Sequence, residues 1–330
     1  MIELIYKNVQ VAVILCMCRN GQYIFARLSR TEVNMDNIGI KNLEVTSVCN
    51  YRCPICVRRA RTGHMNMDDF YKVVDKNYHL FNENGVWLHF YGEPLMDPYF
   101  LERVSYIKSK GVKTRISTNG SLLTEKRREA LAYSGLDYIV VSVSTLNREI
   151  YKETRGIDNL PLVIQNLIGF KRYIDEHKIP MRLQAVFIDT GDSSEGDKFI
   201  KFFHDYGIDA AFHNFTNRAN SVELDLFTED KHDYSLKRGV CCGLETKIGV
   251  LSNCEVVTCY CDFEGKNSLG NLRDYDFSLE KLISNGKLNE IKENLKNHIY
   301  TGACEDCSDW IYYQNNSSEK YVTVYPAEPL

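Results

Sequence analysis

Cys49, Cys53 and Cys56 stand in the stretch C-N-Y-R-C-P-I-C, three thiols on one short loop. Thiolates at this spacing can hold three irons of a [4Fe–4S] cluster, which leaves the fourth iron without a protein ligand. An open metal position takes up substrate or cofactor, as it does at catalytic zinc sites. The competing assignment is structural zinc, which wants four ligands. The nearest fourth donor, His64, comes eight residues after Cys56 with no further Cys nearby. A second constellation, Cys242, Cys259, Cys304 and Cys307, closes the chain's cysteine pattern. Taken alone it suits either a four-Cys zinc knuckle or an iron–sulfur site. Cys241 can exchange with Cys242 as a ligand, Cys254 packs most simply in a hairpin, and Cys261 follows Cys259 by two residues.

The chain has 330 residues, 12 cysteines and a net charge of −4. Cysteine clusters without a secretory signal read as metal or redox sites in a reducing compartment, so a cytoplasmic location is expected. The slightly acidic balance leaves no footprint for nucleic acid. Arg58, Arg59 and Arg61 follow the first cysteine loop and could meet an anionic substrate; Lys126, Arg127 and Arg128 read as a solvated face. The apolar run Val9–Cys18 is too short to span a membrane. With Asn20-Gly21 as a two-residue turn and Q-Y-I-F-A-R-L beyond it, the run predicts a β-hairpin, with Cys16 and Cys18 as buried structural thiols on one strand face.

From about residue 40 the pattern alternates. Short apolar, β-branched or aromatic runs predict strands at Asn42–Ser47, Val86–Tyr91, Lys113–Ser117, Tyr138–Val143, Met181–Ile188 and Ala210–Phe215. Helical stretches are expected at Met67–Phe81, Tyr99–Ser109, Glu125–Ala132, Leu160–Glu176 and Glu195–Tyr206. Such alternation means an α/β fold of parallel strands with right-handed crossovers. Six βα units are too few for a closed eight-stranded barrel. The first strand ends at Cys49, which places the cysteine loop at the C-terminal rim where ligand sites of α/β folds lie. Leu224–Gly239 is charged and aperiodic, and the remainder is cysteine- and turn-rich. Three divisions are therefore expected: a hairpin extension over 1–40, the βα repeat over 41–225 and a cysteine-rich domain over 226–330.

The CxxxCxxC triplet resembles that of the radical SAM superfamily. That resemblance implies an open, partial (β/α)6 barrel and a cluster whose free iron chelates S-adenosylmethionine (SAM). Tyr91-Gly92-Glu93-Pro94 resembles the family's G-G-E-P segment, with Tyr91 in place of the first Gly. There a small residue lets the backbone approach the methionine amine and a carboxylate such as Glu93 stabilises it; the plain reading is a turn with Pro at its second position. Ser117-Thr118-Asn119-Gly120 resembles a T-N-G or S-N-G run that contacts SAM, which marks Ser117 and Asn119. Ser142 and Ser144 close the next strand as SAM ligands or turn formers. Arg155 in T-R-G resembles an arginine that pairs with the SAM carboxylate; alone it reads as a helix-end residue favoured by the dipole.

The succession V-V-T-C…D-F…L-G-N and the final C-E-D-C resemble the SPASM extension in its shortened twitch form. This implies one auxiliary [4Fe–4S] cluster on Cys242, Cys259, Cys304 and Cys307. The resemblance sharpens toward twitch enzymes acting on aminocyclitols and aminoglycosides, 2-deoxy-scyllo-inosamine dehydrogenase among them, on His89–Leu95, on Phe215-Thr216-Asn217-Arg218 and on E-V-V-T-C-Y-C-D-F. Where the dehydrogenase has a substrate-facing Glu, this chain has Cys261. The implied catalytic residues are Cys261, Arg218 and Tyr91. Epimerisation of a sugar- or aminocyclitol-like substrate, with Cys261 returning a hydrogen atom, is expected ahead of two alternatives. One is oxidation of a secondary alcohol with Arg218 as base and the auxiliary cluster as electron acceptor. The other is peptide maturation, for which residues 1–40 look too short. A non-enzymatic electron carrier or sensor fits poorly with an open-site cluster beside a SAM pocket. The implied electron donor is a flavodoxin or ferredoxin.

Overall fold

A computed structural model describes residues 13–17, 23–27, 38–57, 63–81, 84–189, 193–214, 238, 240–241, 244, 248–305, 307 and 322–325. The N-terminal hairpin forms by itself as one compact unit, Met1–Met35. Its strands β1 (Val13–Met17) and β2 (Tyr23–Arg27) pair antiparallel, with Cys16 opposite Ile24. The expected turn at Asn20-Gly21 and Cys18 lie outside the described residues, as do Arg58, Arg59 and Arg61.

In the second unit the predicted strands become β3 (Ile40–Leu43), β4 (Val86–Trp87), β5 (Thr114–Thr118), β6 (Tyr138–Ser144), β7 (Arg182–Asp189) and β8 (Asp209–Asn214). Three short strands follow, β9 (Ile248–Val250), β10 (Glu255–Val257) and β11 (Ser268–Asn271), and then β12 (Val322–Tyr325). They form one sheet in the order β11-β10-β9-β3-β4-β5-β6-β7-β8-β12. The run from β9 to β8 is parallel, and β10, β11 and β12 pair antiparallel at its ends. This is the expected open α/β sheet, with one difference. The strands beyond the expected boundary at 225/226 extend the barrel sheet through β9 on β3 rather than building a sheet of their own. The boundary itself lies outside the described residues.

Crossover helices cover the sheet: α1 (Met67–Asn77), α2 (Phe100–Ser109), α3 (Glu125–Ala132), α4 (Arg148–Arg155), α5 (Leu160–Glu176) and α6 (Ser193–His204). Two short ones, α7 (Leu279–Ile283) and α8 (Lys287–Lys296), follow β11. In α5 the apolar residues Val163, Leu167, Phe170 and Ile174 recur at helical spacing and are all buried. In α1 the corresponding stripe is Phe70, Val73 and Val74. Each such side chain contributes about 1.5–3 kcal/mol by leaving water. Sequence periodicity carries α1 on to Phe81, but it ends at Asn77. There the buried amide donates to the carbonyls of Val73 and Phe277 and accepts from Leu279 N–H, which ties α1 to the C-terminal segment.

β4 stops at Trp87, short of the expected Tyr91, because side chains replace the next ladder bonds. The Asn42 amide donates to the His89 carbonyl (2.9 Å), and Ser117 N–H donates to His89 Nδ1 (3.1 Å). No helix among the described residues is long and apolar enough to cross a membrane.

Candidate active site

The first cysteine loop leaves β3 and returns beside it. Thr46 bridges His64 antiparallel, Ser47 N–H donates to the Gly63 carbonyl (2.9 Å), and Met65 N–H to that of Val45 (2.9 Å). His64, the donor a zinc site would need, instead sets Nδ1 3.8 Å from Asp97 Oδ1. Asp97 is in turn paired with the buried Arg103 at 2.6 Å, and Arg103 also donates to the Met65 carbonyl. The neck of the loop is thus pinned to α2.

Within this neck Cys49 and Cys53 are half-buried and Cys56 is exposed. Asn50 joins the loop to the end of β5. Its amide donates to Ser121 Oγ (2.9 Å), and its carbonyl oxygen accepts from Asn119 Nδ2 (2.8 Å). The Tyr51 hydroxyl meets Asn159 Nδ2 at 2.5 Å, and Tyr151 donates to the oxygen of the same amide. The guanidinium of Arg155 stands within electrostatic reach of the Cys53 thiol. Burial pushes the Cys53 thiol up, Arg155 pulls it back down, and the neighbouring Cys56 thiol adds to the rise. Arg155 is the last residue of α4, ahead of Gly156, whose left-handed φ of 68° ends the helix. A Cβ on Gly156 would stand 3.0 Å from the Arg52 carbonyl, so the helix end lies directly against the cysteine loop.

The G-E-P segment packs on the same loop. A Cβ on Gly92 would lie 2.1 Å from the Thr46 carbonyl oxygen, a contact only glycine permits. Glu93 N–H donates to the Val48 carbonyl (2.8 Å). The Glu93 side chain is buried, and both oxygens are engaged within the protein. Oε1 accepts from Leu95 N–H and from Thr118 Oγ1, and Oε2 from Asn119 N–H (2.8 Å). Burial raises its pKa, and these donors oppose the rise. The expected role for Glu93, stabilising a ligand ammonium, therefore meets a carboxylate already tying the ends of β4 and β5 together.

Ser117 Oγ lies 3.1 Å from Ser142 Oγ, the Ser142 carbonyl accepts from Arg155 (2.6 Å), and Ser144 Oγ accepts from the same guanidinium. Ser144 holds a positive φ of 75°, an uncommon conformation for a serine that turns its hydroxyl to Arg155. His89, Ser117, Ser142 and Arg155 thus form one hydrogen-bonded line across β4, β5 and β6, and Arg155 stands beside Cys53 of the cysteine loop. The expected SAM residues on these elements are brought together. Sequence reasoning missed Asn50 and α4 itself; Asn147 ahead of a charged run and Gly156 behind it are the cap signals that mark α4.

The second constellation is local. Cys259, Cys304 and Cys307 are half-buried, and Cys261 and Cys254 are buried. Burial and the charges of Cys259 and Cys307 push the Cys304 thiol up to about 12, so Cys259 and Cys307 each lie within electrostatic reach of Cys304. Asn267 Nδ2 donates to Cys304 Sγ (3.2 Å), and Cys261 N–H to Cys259 Sγ (3.4 Å). Asp262 orders the hairpin by accepting from Lys266 N–H (2.7 Å) and Asn267 N–H (2.9 Å). Cys254 sits fully buried in the β9–β10 turn with φ 66°, as expected for a packing residue. Cys242 and Arg218 lie outside the described residues.

The two regions touch. The Tyr91 ring stands edge-on to Phe263, centroids 5.9 Å apart, and Phe263 follows Cys261 by two residues. Glu44 joins them at a second point: Oε1 accepts from Tyr91 N–H (3.3 Å), and Oε2 from Ser252 N–H (3.0 Å) and Ser252 Oγ (2.9 Å).

Among the described residues no three His, Cys, Asp or Glu side chains converge on a single metal position. In a cubane each thiolate binds a different iron, so convergence on one point is not required of Cys49, Cys53 and Cys56. Their fit rests on a donor set of thiols on one tied loop, two of which feel each other's charge beside a guanidinium.

The radical SAM superfamily model matches residues 43–181. The chain is 24% identical over 314 residues to the tungsten-containing aldehyde ferredoxin oxidoreductase cofactor-modifying protein of Pyrococcus furiosus, spanning 81% of this chain and 86% of that one. It is 30% identical over 171 residues to a probable GTP 3′,8-cyclase of Saccharolobus islandicus, which spans 50% of this chain and 53% of the relative. The fold is similar to that of BtrN crystallised with AdoMet and 2-DOIA, with a TM-score of 0.55 and 18% identity over 87% of this chain and 98% of BtrN. It is also similar to native anSMEcpe with bound AdoMet and a Cp18Cys peptide, with a TM-score of 0.56 and 17% identity over 83% and 87% of the two chains. The family brings a [4Fe–4S] cluster and SAM, and Cys49, Cys53 and Cys56 are the thiols on this chain that fit the cluster. Residues 43–181 of the chain thus carry a radical SAM domain.

Proposed function

We propose that this enzyme inverts a carbon centre of a small, hydroxyl-bearing substrate of the sugar or aminocyclitol kind. Cys49, Cys53 and Cys56 would hold the SAM-binding cluster, and Ser117, Asn119, Ser142, Ser144 and Arg155 would hold SAM beside it. Bound there, the pair would supply a 5′-deoxyadenosyl radical able to remove a hydrogen atom from an unactivated carbon. Cys242, Cys259, Cys304 and Cys307 would hold an auxiliary cluster, which supplies electrons, and a flavodoxin or ferredoxin would be the external donor.

The observation that carries the reading is the contact of Tyr91 with Phe263, which brings the hairpin bearing Cys261 against the strand bearing the G-E-P segment. Cys261 is 2% exposed on that hairpin, shielded from bulk solvent. An S–H bond is weaker than the carbinol C–H bond formed from it, so hydrogen return from Sγ is downhill; the thiyl radical left on Cys261 would be restored to the thiol by one electron from the external donor and a proton from solvent. The likeness to BtrN, whose crystals hold 2-DOIA, supports the substrate class.

The test is anaerobic turnover of candidate cyclic polyols in deuterated water. Solvent deuterium at an inverted centre in a product of otherwise unchanged composition is expected, and it should vanish in Cys261→Ala while SAM cleavage persists. A product two mass units lighter would replace the epimerase by the dehydrogenase reading, with Arg218 the next residue to vary.

A further inference from the structure

His89 belongs to the inward row of the barrel, and nothing above gives it a function. On β4 the residues Val86 and Leu88 are fully buried against the helices, whereas Trp87 and His89 alternate with them and keep some exposure. Trp87 packs with Tyr138 against Val140, Val186 and Ala211, the apolar floor of the sheet's inner face. His89 stands one step nearer the strand ends, its ring edge-on to Trp87 at 5.3 Å. It therefore lies between the apolar floor and the SAM residues.

The ring's state is fixed by its surroundings. Nδ1 faces the backbone N–H of Ser117, which can only donate, so Nδ1 must accept and the neutral ring carries its proton on Nε2. Burial, with Lys41 nearby, pushes the imidazole down to about 4, so it stays neutral at ordinary pH. Among the described residues Nε2 has no hydrogen-bond partner, and the residue as a whole is half-buried. The ring lies on the inner row of the sheet, with Nδ1 taken up by Ser117 and Nε2 on its other side. Nε2–H is thus, among the described residues, the ring's one unbonded polar group, a donor with a set direction. A neutral donor selects an acceptor oxygen, a hydroxyl or a carbonyl, and offers nothing to a cation.

We propose that His89 is a substrate-binding residue whose Nε2–H donates to a hydroxyl or carbonyl oxygen of the substrate and sets the height at which its carbon meets the SAM residues on Ser117 and Ser142. This rests on the small-polyol reading above. Through Nδ1 the same ring is tied to Ser117, so substrate height and SAM strand are held in one register.

Two variants separate the two nitrogens. His89→Asn keeps an acceptor where Nδ1 stands and removes the outer donor. His89→Gln reaches an amide N–H to the place of Nε2. The probe is a panel of ring-deuterated inositols and monoamino-inositols, with deuterium transfer to 5′-deoxyadenosine as the readout and substrate-free SAM cleavage measured beside it. The expected result is a KM for the active polyol raised ~10- to 100-fold in His89→Asn, the size of one unmade buried hydrogen bond. The KM for SAM in substrate-free cleavage should be unchanged, and His89→Gln should stay within about threefold of wild type, since it keeps the donor. Wild-type behaviour of His89→Asn overturns the inference. So does an equal loss in both variants, which would mean packing, or a matching rise in the SAM KM, which would mean His89 acts through Ser117. If wild-type enzyme takes deuterium from no member of the panel, the polyol reading itself falls, and this inference with it.

Discussion

The two cysteine regions are built on opposite plans. The loop of Cys49, Cys53 and Cys56 is stitched to elements remote in sequence: Asn50 to Asn119 and Ser121, Tyr51 to Asn159, Cys53 to Arg155, and Val48 to Glu93. Around Cys259 and Cys304 the described ties centre on one hairpin, Asp262 holding the backbone of Lys266 and Asn267, and Asn267 reaching 37 residues along the chain to Cys304. The barrel shapes the first site before any metal binds. The second holds a thiol that burial and neighbouring thiols keep protonated until a cation compensates them. On the proposed reading the first site would spend its metal on chemistry, while the second would gain part of its fold from it.

The sharpest way to break this contrast is to remove each set of thiols. Alanine at Cys49, Cys53 and Cys56 together should abolish SAM cleavage and cut bound iron from about eight to about four per chain. Tm should move little, because the ties of Val48, Asn50 and Tyr51, which hold the loop to remote elements, are not made by the sulfurs; iron analysis, 5′-deoxyadenosine assay and calorimetry check this. Alanine at Cys304 and Cys307 should do the reverse, leaving SAM cleavage measurable while Tm falls by many degrees, since metal binding to a small cysteine-rich module is folding energy. Equal losses of Tm in the two variants would erase the distinction.

Gly92→Ala probes the barrel side with one atom. Its Cβ would meet a backbone oxygen at 2.1 Å, where neither partner can rotate away. A loss of SAM binding by more than about tenfold is expected, with a destabilisation of roughly 1–3 kcal/mol from forced backbone shift. Calorimetric titration with SAM measures the first and denaturant unfolding the second. Binding equal to wild type would mean that the G-E-P segment is not seated on the cysteine loop.

A pH series reads His89 from the stability side. Its folded pKa, about 4, lies below the ordinary 6.5, so the unfolded chain takes up a proton that the folded chain refuses. The stability this group contributes is present above pH 6.5 and is lost as pH falls toward 4, reaching roughly 3 kcal/mol when complete. Denaturant unfolding from pH 7 to 4 should show a steeper acid loss in wild type than in His89→Gln; parallel curves would mean that the imidazole is not held neutral. The smallest expected effect is at Asn147, whose side chain caps α4 through Glu149 and Ile150 N–H. Asn147→Ala should cost about 1 kcal/mol of stability by urea titration and, by fraying the helix that ends in Arg155, slightly raise the KM for SAM.

Much of the barrel was legible because burial repeats with the period of each element. α3 and α5 have the bounds that periodicity predicts, and β5 to β8 shift by a residue at their ends. β4 was over-read, since Asn42 and His89 side chains take over its last ladder bonds and pattern alone cannot register such a substitution. α4, α7 and α8 escaped because they are short and charged; their caps, Asn147, Ser278 and Gly286, were the signals available. The cysteine sets are visible as spacing. Their supports are not, because Asn50 and Asn119 are 69 residues apart and Glu44 and Ser252 are 208 apart, and no local pattern joins them.

The central claim is that the loop of Cys49, Cys53 and Cys56 holds the cluster that binds SAM, and electron paramagnetic resonance of the reduced protein tests it most directly. Wild-type enzyme and the Cys304→Ala, Cys307→Ala variant should both change their cluster signal when SAM is added, and the Cys49, Cys53, Cys56 alanine variant should not. A wild-type signal indifferent to SAM, or a SAM-dependent signal surviving in that triple variant, would contradict the account.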